Sequence, residues 1–210
     1  MARVSQAHLD ARRQQIIDGA RRCFARNGFH ATSMQDVFQE TELSSGAVYR
    51  YFRSKDELIK AVAAEAFTYM RESFRDAARE APARPFEDVV SGVLTHALTE
   101  QARRAGTDIG TFAGLILQVW GETLRDERLA MALDDGYEDM RLVWNALVHA
   151  YQRAGRLRTD VPTEHVVRTL MSLAQGFIVQ QALFGGIGED VLRDGLRALA
   201  TTVPEETPDT

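Results

Sequence analysis

A single cysteine, Cys23, stands in this chain of 210 residues, so no disulfide can form within it and no zinc site can rest on paired thiolates. Its position in an apolar helical stripe makes it a small buried hydrophobe. The histidines are few and scattered (His8, His30, His96, His149 and His165), with no pair at metal-ligand spacing, so neither a metal nor a cofactor is expected. Lysine is scarce too: Lys55 and Lys60 are the only two, and arginine supplies the rest of the 25 basic side chains. There is no run of about 18 apolar residues to make a membrane span. The N-terminus MARVSQAHLDARRQQ has no apolar signal core, and a cytoplasmic location is expected. No glycine-rich phosphate loop and no nucleophile–histidine–carboxylate arrangement can be proposed, so the chain is not expected to be an enzyme.

What is present is ordinary in bulk and uneven in distribution. Hydrophobic residues make up 45% and charged residues 26%, a balance that suits a globular protein with a real core. The net charge is −5, but residues 1–60 carry ten basic and seven acidic side chains, a net +3, and the remainder is a net −8. A basic head on an acidic body suits a protein that meets nucleic acid with one end.

Apolar residues recur with helical spacing throughout, and no alternating strand pattern occurs. Ile16, Ala20, Cys23 and Phe24 form one stripe of a first helix over 8–27, stopped by Asn27-Gly28. Ser33 and Asp36 form a capping signal for a short second helix ending near Glu40. A third helix opens at Ser44 or Ser45 and runs to about Tyr51. Ser54 and Glu57 form a capping box for a long fourth helix that bridges head and body. Pro82 and Pro85 break it, and five more helices follow over 86–104, 109–124, 127–154, 163–184 and 188–202, before an acidic, proline-bearing tail.

The informative stretch is GFHATSMQDVFQETELSSGAVYRYFRSKDELIKAV at 28–62. Two short helices joined by a turn of three or four residues, with Val37, Leu43, Val48 and Phe52 available to pack on Ile16, Phe24 and Leu58, make a helix-turn-helix. The second helix of the pair carries the matching chemistry. Ser44 and Ser45 open it, Gly46 permits close backbone approach, Tyr49 and Tyr51 can donate to phosphates, and Arg50 can fork onto a guanine. Lys55, in the first turn of the next helix, suits a phosphate.

Residues 9–62 resemble the DNA-binding domain of the TetR family of bacterial repressors. The likeness is carried by Gly28-Phe29, by Thr32-Ser33 at the start of helix two, and by SGAVYRYFRSKDEL at 45–58. Thr41 and Glu42 stand where the family usually has Ala and Gly in the turn, and Phe38 where a small residue is common. The resemblance implies an all-α protein of about nine helices. Its parts are a three-helix helix-turn-helix domain (1–55), a ligand-binding and dimerisation bundle (56–203) and a tail (204–210). With the residue reading, it gives a DNA-contacting set of Thr32, Ser33, Ser44, Ser45, Gly46, Ala47, Tyr49, Arg50, Tyr51 and Lys55.

For the body, the expected pocket liners are Phe67, Met70, Phe74, His96, Phe112, Gln118, Trp120, Met140, Trp144, Tyr151, Gln175 and Phe177, a set favouring an apolar or aromatic effector. Val166, Val167, Leu170, Leu173, Phe177, Leu192, Leu196 and Leu199 supply apolar faces for a homodimer. The resulting expectation is a homodimeric repressor, released from pseudo-palindromic operator DNA by a small molecule. The alternative is a DNA-binding regulator with no ligand, controlled by a protein partner or by abundance.

Overall fold

Gly28 divides the first helical stretch as its sequence suggests. The computed structural model describes residues 6–199, in which α1 (Gln6–Ala31) bends at Gly28, whose φ of 77° lies in the left-handed region. Helix proper therefore ends at Asn27, and a further turn, Phe29 to Ala31, leads into the helix pair. The remaining elements are α2 (Met34–Thr41), α3 (Ser45–Tyr49), α4 (Lys55–Glu80), α5 (Phe86–Arg104), α6 (Ile109–Thr123), α7 (Glu127–Arg153), α8 (Thr163–Leu183) and α9 (Glu189–Leu199). Among the described residues the architecture is all-α, with nine helices. The expected tail 204–210, and the end expected for the ninth helix, lie outside the described residues.

Local chemistry sets most boundaries. Ser33 Oγ accepts from the Asp36 N–H at 3.3 Å and Asp36 accepts from the Ser33 N–H at 2.7 Å, a reciprocal box that satisfies two orphan donors of α2. Asp108 and Asp126 cap α6 and α7 in the same spirit. The box expected at α4 is corrected in one respect. Ser54 caps Glu57, but the Glu57 carboxylate reaches one residue further back and accepts from Arg53 N–H at 2.7 Å.

The head is built on one apolar seam. Ile16, Ile17, Ala20, Cys23 and Phe24 of α1 are buried against Val37, Val48, Phe52 and Leu58. Burial of each large side chain contributes about 1.5–3 kcal/mol. The approach of α1 to α2 is close enough that a Cβ on Gly19 would lie 2.3 Å from Thr41 Cγ2, so glycine is required there. Ion pairs stitch the outside: Glu40 accepts from Arg22 at 2.6 Å and Arg26 at 3.1 Å, and Arg21, itself buried, pairs with Asp18 and with Glu65 of α4. The hydrogen bond from Arg22 holds the Glu40 carboxyl below the usual carboxylate range, with Arg26 adding to it against partial burial.

In the body, α4 lies along α7 and α6 along α8, while α5 packs on α9. The α7 stripe read from the sequence, Met140, Val143, Trp144, Leu147 and Tyr151, is buried throughout. On α5 the expectation for His96 is corrected: Leu94 is buried, and His96, two residues or roughly 200° further round the helix, is exposed.

The α2–α3 turn contains the one positive φ outside glycine among the described residues. Glu42 sits at φ 55°, ψ 33°, its N–H donating to Gln39 O at 3.2 Å and Leu43 N–H to Phe38 O at 3.1 Å. This is a left-handed helix stop made without glycine, at a cost of about 1–2 kcal/mol. Glu42→Gly should therefore raise the thermal midpoint by an amount worth about 1 kcal/mol, and Glu42→Val should lower it. Melts that rank the three chains in any other order would show that the turn is not strained.

Candidate nucleic-acid interface and ligand cavity

The second helix of the pair is short, and its neighbours hold it in place. Val48 is fully buried in the head core, while Ser44, Ser45, Gly46, Tyr49 and Arg50 are exposed on the opposite side. Ser44 caps α3 by accepting from Ala47 N–H at 3.3 Å, and Ala47 is half-buried. A Cβ on Gly46 would meet nothing within 4 Å, so this surface is open to close approach. The Tyr49 ring, 46% exposed, stands edge-on to Phe38 at 5.4 Å, and Phe38 thus braces the surface from α2. Arg50 is exposed and enters no ion pair among the described residues.

Several members of the expected DNA-contacting set sit differently from the rest. Thr32 is corrected: it is 1% exposed, and its hydroxyl donates to Gly28 O at 2.7 Å, with Cys23 O also in reach at 3.2 Å, so it closes the Gly28 bend and has no face for a phosphate. Ser33 is exposed, but its hydroxyl donates to Asp36 at 2.8 Å. Lys55 is half-buried and one ammonium donor goes to Phe29 O at 2.8 Å, leaving two for other partners. Tyr51 is half-buried. Cys23 lies at 0% exposure, and burial, with Glu40 nearby, pushes its thiol pKa up, as suits an inert core residue.

In the body, α4, α6, α7 and α8 surround a cavity of about 160 Å³. Of the expected liners, Phe67, Met70, Phe74, Phe112, Trp120, Met140, Trp144 and Gln175 line it, and Phe74 packs on Trp144 with ring centroids 4.4 Å apart. Four expected liners are corrected. His96 is on the outside of α5. Tyr151 lies seven residues, about 10 Å, along α7 beyond Trp144. There its hydroxyl donates to Arg84 O at 2.8 Å and its ring meets Phe86. Phe177 is buried next to Ile178 but only Ile178 reaches the lining. Gln118 is exposed and accepts from the Phe29 N–H at 3.0 Å.

The sequence reading missed Phe29 and Tyr137. Phe29, 2% exposed, lines the cavity and also stacks edge-on against Phe24 of the head at 4.9 Å. Its N–H is held by Gln118 of α6 and its carbonyl by Lys55 of α4. The signal available was the Gly28-Phe29 pair itself: an aromatic forced inward by a glycine bend. His30 adds a second link, lying 3.0 Å from Glu122 of α6.

The expected dimer faces divide in two. Val167, Leu170, Phe177 and Leu196 are buried within one chain and have no surface left for a second subunit, a correction to their expected role. Val166 and Leu192 are half-buried. Leu173 and Leu199 are exposed, as are Leu183, Phe184 and Val191.

Comparison with known proteins agrees with this arrangement. Residues 16–62 match the family model described as bacterial regulatory proteins, tetR family. A relative, the HTH-type transcriptional repressor Rv1474c of Mycobacterium tuberculosis, is 34% identical over 178 residues, covering 82% of this chain and 83% of its own. The chain belongs to the TetR family. It is a DNA-binding regulator of transcription. Salmonella enterica GusR superposes with a TM-score of 0.70 at 24% identity, over 95% of this chain and 99% of that one. FadR from Bacillus subtilis, solved with stearoyl-CoA, superposes with a TM-score of 0.72 at 14% identity, over 90% and 98%. These two likenesses concern the fold. As a TetR-family head, the Gly28 bend depends on the Thr32 clamp, and Thr32→Val is expected to cost about 1–2 kcal/mol of head stability with base preference intact. An unchanged melt together with weakened operator binding would make the hydroxyl a DNA ligand instead.

Proposed function

We propose that this chain is a homodimeric repressor acting in the cytoplasm. It holds a pseudo-palindromic operator through paired α3 helices and is released when a small, uncharged, largely apolar effector enters the cavity. Arg50 reads a base edge in the major groove, and Tyr49, Tyr51, Ser44, Ser45 and Lys55 position the head on phosphates, with Gly46 allowing the close approach. The exposed apolar side chains of α8, α9 and the turn between them (Leu173, Leu183, Phe184, Val191 and Leu199) meet their copies in a second subunit, an isologous contact that supplies the two-fold axis.

The observation that carries the reading is Phe29. One side chain is both wall of the cavity and core of the head, and its two backbone groups are bonded to α6 and α4. A molecule that pushes α6 outward must pull on the Gln118–Phe29 bond or turn the head with it. Coupling of about 1–3 kcal/mol changes operator affinity about 5- to 150-fold.

Two measurements test this on an operator recovered by selection from random duplexes. Arg50→Ala should weaken binding by about 1–3 kcal/mol and relax preference at one base position; unchanged affinity and preference would remove Arg50 from the contact. Ala174→Phe places a ring in the cavity without any ligand, and should lower operator affinity about 5- to 150-fold. Adding Gln118→Ala should restore part of it by cutting one of the links between α6 and the head. A folded, dimeric Ala174→Phe protein that binds operator like the parent would defeat ligand release and favour a regulator without an effector.

A further inference from the structure

The lining of the cavity restricts what can fill it, and the inference rests on the reading of this cavity as the effector site. No aspartate, glutamate, lysine, arginine or histidine lines it. A carboxylate or ammonium brought here would lose its water without gaining a counter-charge, at a cost of several kcal/mol. An apolar cavity of roughly 150 Å³ holds a molecule of benzene's size, and this one is about 160 Å³. The occupant is therefore compact as well as uncharged.

The polar side-chain groups of the lining belong to Trp120, Tyr137, Trp144 and Gln175, and Gln175 is exposed at the rim. Tyr137 is different. Its ring is half-buried and fixed edge-on to Phe67 at 4.8 Å. Its phenol carries a proton to donate. Burial pushes the Tyr137 pKa up, so the proton stays in place at neutral pH. A donor of this kind in a hydrocarbon-lined site favours an occupant that brings an acceptor, because an unmet polar group there is costly.

We propose that the cavity selects a compact, uncharged, mostly hydrocarbon molecule bearing one hydrogen-bond acceptor oxygen. Tyr137 donates a hydrogen bond from its hydroxyl to that oxygen.

Both tryptophans of the chain, Trp120 and Trp144, line the cavity, so intrinsic fluorescence reports its occupancy directly. The full chain is titrated with three probes of similar shape: ethylbenzene, acetophenone and benzoate. Acetophenone should bind about five-fold more tightly than ethylbenzene, the worth of one net hydrogen bond, and benzoate should not bind. Tyr137→Phe should erase the acetophenone advantage while ethylbenzene binds as before, which also shows that the cavity of the variant is intact. Equal affinity for acetophenone and ethylbenzene, binding of benzoate, failure of all three to bind, or an advantage that survives Tyr137→Phe would each overturn the proposal. Operator affinity measured in the same titrations separates the two readings. Selective binding that leaves the operator bound refutes ligand release alone, and operator release without selectivity refutes this specification alone.

Discussion

Helix α4 has to serve two cores at once, and that constraint organises the molecule. Its first turns give Leu58, Ile59 and Val62 to the head, where Leu58 is fully buried. Further along, Phe67, Met70 and Phe74 wall the cavity against α7. Ile59 and Val62 belong to both sets, since they too line the cavity. A single straight helix with both duties cannot shift at one end without shifting at the other, because close-packed side chains transmit displacement instead of absorbing it. Arg21 and Gln14 of α1 hold Glu65 near the middle of this helix, and Lys55 ties its start to Phe29.

Much of this was legible in the sequence because it was written in local chemistry. Seven of the helices end within about two residues of where periodicity, serine and aspartate caps and glycine stops put them. The head was legible twice over, by apolar spacing and by its resemblance to a family. What escaped was tertiary. Tyr137 follows Gly136 in the polar run DDGYED, so no apolar stripe drew attention to it, and only the approach of α4 to α7 makes it a cavity residue. Gln118, expected to line the cavity, is exposed and spends its oxygen on a backbone N–H from another element. His96, expected to line the cavity, is exposed because α5 turns Val90, Leu94 and Leu98 inward.

The exposed apolar residues of α8 and α9 follow the same rule. A sequence pattern can mark a helix as apolar on two sides, but it cannot say which side its own chain will cover. Val167 and Leu170 are taken by the protomer, and Leu173, Leu183 and Phe184 are left outside. The glycine pair after Phe184 ends α8 abruptly and keeps that aromatic, 77% exposed, at the outer end of the bundle.

Helix α3 has five residues, far fewer than the dozen or so an isolated helix needs to persist in water. It cannot exist as a free-standing reading head. Its shape is borrowed from the seat that Val48 occupies and from the Ser44 cap. Sequence recognition and head folding are therefore one cooperative property: whatever loosens the packing beneath Val48 blurs the reading of DNA before the rest of the chain unfolds, and a bound duplex in turn holds that packing together.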